Sequence, residues 1–171
     1  RILSNANDED QIIVFCNTKR MVDLSVQKLS KAGLEVNGLH GDLSQNQRER
    51  ILQSYKDGNI KTIIATDVAA RGIDVDGITY VVNYDIPDDM DSFIHRIGRT
   101  GRIGRSGQAW SLVAKNDAGQ LARIIATYGL QISSTDVPDL PSGVDKDTIR
   151  IQRRFYGVCR CLWFCSASIK R

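Results

Sequence analysis

The feature that most constrains the fold is the alternation of short, continuous apolar runs with amphipathic helical segments. Residues 11–16 read Gln-Ile-Ile-Val-Phe-Cys, which is typical of a strand buried on both faces of a parallel sheet. Val22, Val26 and Leu29 then recur with the spacing of one helix face, and Gly33 is expected to end that helix. A strand followed by a helix and a short loop is the repeating unit of α/β domains.

The same unit recurs along the chain. Further strands are predicted at 34–39, 60–65, 78–83 and 108–113, and further helices after the capping-box pattern 44–47, after 87–89, and at 118–128. We therefore predict an α/β domain with a mainly parallel central sheet flanked by helices. In such sheets ligands bind in the loops at the carboxyl ends of the strands.

The charge of the chain is unevenly distributed. The net charge is +3, but residues 146–171 carry seven Lys or Arg and one Asp, so the rest of the chain is net negative. Any nucleic-acid contact in the main body must therefore come from local basic patches. No apolar run approaches the roughly 18 residues of a membrane span, so we expect no membrane contact. Four cysteines without a spaced framework favour a reducing, cytoplasmic location.

The segment 95–102 reads His-Arg-Ile-Gly-Arg-Thr-Gly-Arg, with arginines at every third position. At helical pitch, Arg96, Arg99 and Arg102 would share one face. A guanidinium group stays charged and its fork of donors matches phosphate oxygens. Such a face suits the stabilisation of charge on a transferring phosphoryl group. On its own, however, the segment is equally well explained by a solvated basic loop.

A second segment, 65–75, follows the third predicted strand and reads Ala-Thr-Asp-Val-Ala-Ala-Arg-Gly-Ile-Asp-Val. The Thr66 hydroxyl and the free amides of a strand-to-helix turn can hold a phosphate, and Asp74 can accept hydrogen bonds from ribose hydroxyls. Taken alone, a capped loop accounts for this segment better than a binding site does.

Together, these two segments resemble motifs V and VI of the DEAD-box RNA helicases. Residues 12–18 look like motif IV of that family, and residues 45–48, Gln-Asn-Gln-Arg, look like its Gln-x-x-Arg motif. The four motifs stand in the family's order, and the resemblance covers about residues 8–135. It implies a three-layer, RecA-like (P-loop NTPase-type) fold for residues 1–145, the C-terminal domain of a two-domain motor.

The resemblance also implies a role for each matching residue. Arg99 and Arg102 would be the catalytic arginine fingers on the ATP γ-phosphate. Asp74 would contact the ribose, and Gly72 would lie beside both nucleotide and RNA. The residues implied along the RNA backbone are Thr18, Gln45, Arg48, Thr66 and Gly72, and those implied between the domains are His95, Arg96 and Arg71. The implied partners are RNA and an N-terminal RecA-like domain.

The departures from the family pattern concern the other half of the ATP site. The chain has no Gly-x-x-x-x-Gly-Lys-Ser/Thr phosphate loop and no Asp-Glu-Ala-Asp. We expect both in the N-terminal domain, which would also hold most of the Mg²⁺ coordination. The whole enzyme would couple ATP hydrolysis to RNA unwinding, and this chain alone is expected to be inactive. The alternatives are a non-catalytic RNA-binding or scaffold domain and a superfamily-two relative that acts on DNA.

Residues 146–171 form a basic tail that matches nothing in the family pattern. Its segments 155–158 and 162–164 are apolar and would be adhesive if exposed. They are compatible with an extra helix, a dimer contact or a stretch foreign to the natural protein. Cys159, Cys161 and Cys165 lack a fourth ligand and a paired knuckle, so no metal site is predicted.

Overall fold

The computed structural model describes residues 6–7, 9–71, 73, 75, 78–101, 106–114, 116–136 and 163–169, the last seven and 134–136 by their backbone alone. Seven strands lie in one sheet in the order β2-β3-β1-β4-β5-β7-β6. The strands are β1 (Gln11–Phe15), β2 (Asn37–Leu39), β3 (Thr62–Ala65), β4 (Ile78–Asn83), β5 (Gly107–Val113), β6 (Ser133–Asp136) and β7 (Trp163–Ile169). The first five are parallel to one another, as the sequence predicts.

Helices connect these strands. They are α1 (Lys19–Lys31), α2 (Gln45–Lys56), α3 (Asp67–Ala70), α4 (Met90–Ile97) and α5 (Ala118–Tyr128). The predicted capping box is present at the start of α2, where the Ser44 hydroxyl accepts from the Gln47 N–H and the Gln47 side chain accepts from the Ser44 N–H. These two bonds satisfy donors that the first helical turn leaves free.

The sheet is covered on both faces, which makes three layers. On one face, Ile13 and Phe15 of β1 pack in a large cluster with Tyr55 of α2, Phe93 of α4 and Ile124 of α5. On the other face, the alternate β1 residues Ile12, Val14 and Cys16 pack with Val22 of α1. Because side chains alternate between the faces of a strand, a strand buried on both sides must be mostly apolar, and β1 is apolar from Ile12 to Phe15. Its first residue, Gln11, is buried and its amide donates to the Tyr55 carbonyl.

Two strands are shorter than their predicted lengths. Residues 34–36 precede β2 without joining its ladder, although Val36 is buried. Residues 60 and 61 precede β3, although the Lys61 carbonyl accepts from the Ile12 N–H of β1 at 2.8 Å. Apolar character marks burial, whereas a strand also needs a partner for its backbone groups, and a local apolar run does not indicate where that pairing begins.

Residues 163–169 of the tail form a strand and not the extra helix that was one alternative, whereas the dimer contact and the foreign stretch stay predictions. β7 pairs antiparallel with β5, from Gly107 opposite Ile169 to Val113 opposite Trp163, and with β6 on its other side. The boundary at residue 145 falls outside the described residues, so the division into a 1–145 domain and a 146–171 tail stays a prediction. Cys159 and Cys161 also lie outside them.

The loop after α4 is fixed against the amino ends of two strands. Thr100 is buried, and its hydroxyl donates to the carbonyl oxygens of Ile78 and Thr79 at the start of β4. Gly107, the first residue of β5, faces Thr100 so closely that a Cβ there would lie 1.9 Å from the Thr100 hydroxyl oxygen and 2.7 Å from the Gly101 nitrogen. Only glycine fits this contact without a backbone shift.

We therefore expect Gly107→Ala to lower the free energy of unfolding by ~2 kcal/mol, as overpacking of a close contact does. Gly119→Ala is the matched control, because a Cβ at this position in α5 meets open space. It should be neutral or stabilise by about 0.5 kcal/mol through helix propensity. Urea unfolding of the two variants measures the difference, and equal midpoints would contradict the close contact.

Candidate functional site

Two of the predicted site residues follow parallel strands at the same edge of the sheet. Thr18 comes after β1 and caps α1, where its hydroxyl accepts from the Met21 N–H at 3.2 Å. Thr66 comes after β3 and precedes α3, and its hydroxyl makes no capping bond. The start of α2 lies at this edge too, because it follows β2, and the Thr66 N–H donates to the carbonyl of Leu39 at the end of β2. This carboxyl edge therefore presents hydroxyls and helix amino termini, which favour anions.

Arg48 joins the start of α2 to the end of α3. Its Nη2 donates to the carbonyl oxygens of Ala69 and Arg71, at 3.1 Å each. Carbonyls at the end of a helix lack intrahelical donors, so a guanidinium there both satisfies them and complements the helix dipole. Arg48 is half-buried and keeps further N–H donors on its fork beyond these two bonds.

The remaining polar groups at this edge are exposed. The Gln45 amide donates to Glu49 at 2.6 Å. Lys19, next to Thr18, pairs with Asp42 at 2.7 Å, both side chains being more than half exposed. The hydrogen bond from Lys19 is the main cause that lowers the pKa of Asp42 below its usual range. This pair connects the start of α1 to the loop before α2.

Arg96 is the most engaged polar side chain of the site. Its side chain is 1% exposed, and its Nε and Nη2 donate to the two oxygens of Asp67 at 2.6 Å each. Nη1 donates to the Asp85 carbonyl at 2.7 Å, and Nη2 also donates to Asn17 Oδ1 at 2.8 Å. The guanidinium carbon lies 5.2 Å from the Phe15 ring centre, within cation–π range. Arg96 thus ties together the chain that follows β1, β3 and β4.

Asp85 and Cys16 titrate unusually beside this network. Burial raises the pKa of the Asp85 carboxyl, although the N–H of Asn17 and the charge of Arg96 oppose this shift. Burial also raises the pKa of the Cys16 thiol to about 12. The thiol is therefore protonated at neutral pH and is not a nucleophile.

Arg99 follows the carboxyl end of α4, three residues after Arg96. The helix ends at Ile97, and Nη1 of Arg99 donates to the Ile73 carbonyl at 3.1 Å. Its neighbour Thr100 contacts the amino ends of β4 and β5, as described above. α4 ends at Ile97, but the chain continues in a tight turn in which the Arg99 N–H donates to the Arg96 carbonyl, and the two guanidinium groups bond to different acceptors. That the arginines share one face stays a prediction. The carboxyl edge alone does not hold the whole site.

The other predicted site residues fall into two groups. His95 and Arg71 are exposed. Gly72, Asp74 and Arg102 lie outside the described residues. Asp67 and Asp85, which hold Arg96, are not recognisable from the sequence patterns as site residues. The one available signal is that each closely follows a predicted strand, where polar side chains converge.

The described residues were compared with the requirements of a metal site and of a membrane-spanning helix. Among these residues, no three His, Cys, Asp or Glu side chains group closely enough to hold a metal ion. No helix in the described ranges has the length and apolar character needed to cross a membrane.

Comparison with known proteins matches the architecture and the motifs. The model of the helicase conserved C-terminal domain matches residues 1–104. The E. coli DEAD-box protein SrmB, solved with the regulator RraA, is 35% identical with a TM-score of 0.68, over 73% of this chain and 74% of that one. This chain belongs to the DEAD-box family and contains the helicase C-terminal domain of that family. The predicted RecA-like fold is thereby confirmed.

Two further matches are longer proteins. The DEAD-box ATP-dependent RNA helicase CshA of Bacillus cereus is 44% identical over 133 residues, which are 78% of this chain and 25% of CshA. S. cerevisiae Dbp5, solved with RNA and ADP BeF3, is 41% identical with a TM-score of 0.68, over 71% of this chain and 33% of that one. The helicase domain thus spans a quarter to a third of the curated relatives it matches.

The Arg96 network predicts a large effect on stability. Arg96→Met should lower the free energy of unfolding by about 3 kcal/mol, because it leaves a partly buried carboxylate and two further acceptors without their donor. Arg96→Lys should recover only part of the loss, since a lysine cannot form the two-pronged bond to Asp67. The control, Arg20→Met on the exposed side of α1, should change it by less than about 0.5 kcal/mol. Denaturant unfolding of the purified chain distinguishes these outcomes, and a small Arg96→Met effect would contradict the network.

Proposed function

We propose that the helicase domain is the C-terminal half of the motor of an ATP-dependent RNA helicase, which couples ATP hydrolysis to the unwinding or remodelling of RNA. The observation that carries the proposal is the arrangement of two neighbouring segments, 66–73 and 90–99. Arg96 bonds to Asp67 at the start of the first segment, next to Thr66, and Arg99 bonds to the Ile73 carbonyl at the end of that segment. In the second segment the two arginines lie three residues apart, at its carboxyl end. One pair of segments thus connects a phosphate-binding edge to a candidate finger arginine.

In this proposal, the RNA backbone lies along the carboxyl edge of the sheet. Thr18, Gln45, Arg48, Thr66 and Gly72 contact its phosphates and sugars. Hydroxyls, amides and a guanidinium bind the backbone without reading bases, so the contact is independent of sequence. The names of two relatives support this substrate, because CshA is called an RNA helicase and Dbp5 was solved with RNA.

In this proposal the nucleotide lies beside the turn that follows α4. Arg99 and Arg102 stabilise the charge that develops on the γ-phosphoryl group, Asp74 holds the ribose, and Gly72 allows close approach. An N-terminal RecA-like domain supplies the phosphate loop and, with ATP, most of the Mg²⁺ ligands, since no ligand cluster occurs among the described residues of this domain. His95 and Arg71 face that domain. Arg96 is predicted at the interface between the domains, but its guanidinium is bonded inside this domain. It would therefore shape the interface indirectly, by holding the residues that lie there.

The finger assignment is tested in the full-length helicase that contains this domain. Arg99→Ala should lower the RNA-stimulated kcat for ATP by about 10³-fold, with a much smaller change in nucleotide affinity, because a finger acts on transition-state charge. Arg123→Ala, on the exposed side of α5, removes the same group elsewhere and should leave kcat unchanged. Steady-state ATPase assays and nucleotide titrations give both quantities.

Two results would count against this assignment. An Arg99→Ala enzyme with normal kcat and a raised KM would mean that Arg99 only binds ATP. Stimulation of the wild type by DNA as strongly as by RNA of the same sequence would favour the DNA-acting alternative, because the 2′-hydroxyl is what separates the two substrates.

The RNA edge is tested through Arg48. Arg48→Ala should weaken the binding of two unrelated RNAs equally and reduce the slope of log K against log salt by about one, or slightly less for a single strand. Arg48→Gln retains a donor for the Ala69 and Arg71 carbonyls but removes the charge, so it should lose the same slope. If Arg48→Gln binds like the wild type, Arg48 supports α3 and does not contact phosphate. A loss confined to one RNA would mean that Arg48 reads bases.

A further inference from the structure

Asn17 makes three hydrogen bonds to two other parts of the domain while remaining exposed to solvent. Its Oδ1 accepts from Arg96 at 2.8 Å, and its Nδ2 donates to the Ile86 carbonyl at 3.0 Å. Its backbone N–H donates to the Asp85 carboxylate, also at 3.0 Å. The amide therefore lies between the end of β1, the loop that leads into α4, and the buried guanidinium.

The start of α1 does not need the Asn17 side chain. Asn often caps a helix, but Thr18 performs that role here and its hydroxyl binds the Met21 N–H. Both polar atoms of the Asn17 amide are directed away from α1, toward the loop before α4 and toward Arg96. A residue that only shaped the β1–α1 turn would have no use for these two long-range bonds.

The bonded neighbours of Asn17 connect the two proposed sites. The next residue, Thr18, belongs to the proposed RNA edge. On the other side, Arg96 precedes the proposed finger Arg99 by three residues, and the Arg99 N–H donates to the Arg96 carbonyl at 3.1 Å. One side-chain hydrogen bond, from Arg96 to Asn17, thus joins the end of β1 to the turn that carries the finger.

We propose that Asn17 is a positioning residue that couples RNA at the carboxyl edge to the placement of Arg99. This inference rests on the proposed function and adds a residue to it. RNA that orders Thr18 also orders the amide of Asn17, which fixes the Arg96 guanidinium and with it the end of α4. A small misplacement of a catalytic group is costly, so a fixed Arg96 raises turnover without touching ATP or RNA.

The test compares kcat for ATP with and without saturating RNA in the full-length helicase. Asn17→Ala should lower the ratio of stimulated to unstimulated kcat by about tenfold, the effect of losing one hydrogen bond to a charged group. The KM for ATP and the RNA concentration for half-maximal stimulation should change by less than about twofold. Asn17→Asp retains the oxygen that accepts from Arg96 and should restore most of the ratio. Asn59→Ala, the same deletion at an exposed position after α2, is the control and should match the wild type.

Each alternative outcome gives a distinct result. An unchanged ratio in Asn17→Ala overturns the inference. A raised RNA requirement at normal kcat overturns it too, because Asn17 would then bind RNA directly. If Asn17→Ala loses its fold, Asn17→Asp decides: restored stimulation supports the coupling, and a folded Asn17→Asp enzyme without stimulation overturns it. If RNA does not stimulate the ATPase activity of the wild-type enzyme, the proposed function and the inference both fail. This outcome is distinguished from failure of the inference alone because it is seen in the wild type, before any substitution.

Discussion

The buried guanidinium of Arg96 is the interaction on which the functional half of the domain depends. Removing a charge from water costs several kcal/mol unless the charge is paired and its donors are satisfied. Arg96 meets that condition with the Asp67 carboxylate, the Asn17 amide and the Asp85 carbonyl. These acceptors come from the chain after three different strands, so the charge can be buried only when the ends of β1, β3 and β4 are in register. The network thereby fixes the positions of the loops that follow these three strands relative to one another.

The sheet explains why those acceptors converge and why Arg99 does not join them. Parallel strands deliver their carboxyl ends to one edge, so Thr18, Asn17, Thr66 and Asp67 meet there. α4 runs back from that edge, and the loop after it reaches the amino ends of β4 and β5, where Thr100 binds the first carbonyls of β4. Arg99 lies in the turn that directly follows α4, where its N–H donates to the Arg96 carbonyl, so this turn is connected to the buried guanidinium through three residues of chain.

Periodicity and capping patterns were sufficient to predict most of the fold. The apolar run at β1, the face of α1 and the capping box of α2 each reflect a local physical requirement, and each is found. The strand β7 was not predictable on the same basis, because it depends on β5 offering a free edge far away in sequence. The start of β2 at Asn37 was not predictable for the same reason. Val36 is buried although it precedes the strand, so its apolar character does not show where pairing with β3 begins.

The site shows the same division between local and distant determinants. Spacing alone predicts that three arginines in steps of three lie together, and this holds only while the helix continues. Gly98 follows the last helical residue, and each guanidinium bonds to the acceptors within its reach: Arg96 to both oxygens of the Asp67 carboxylate, and Arg99 to the Ile73 carbonyl among its contacts. A charge neutralised by Asp67 inside the domain is unavailable to a phosphate, so Arg96 stabilises the edge of the sheet. Within this motif the finger role therefore belongs to the proposal for Arg99 and Arg102.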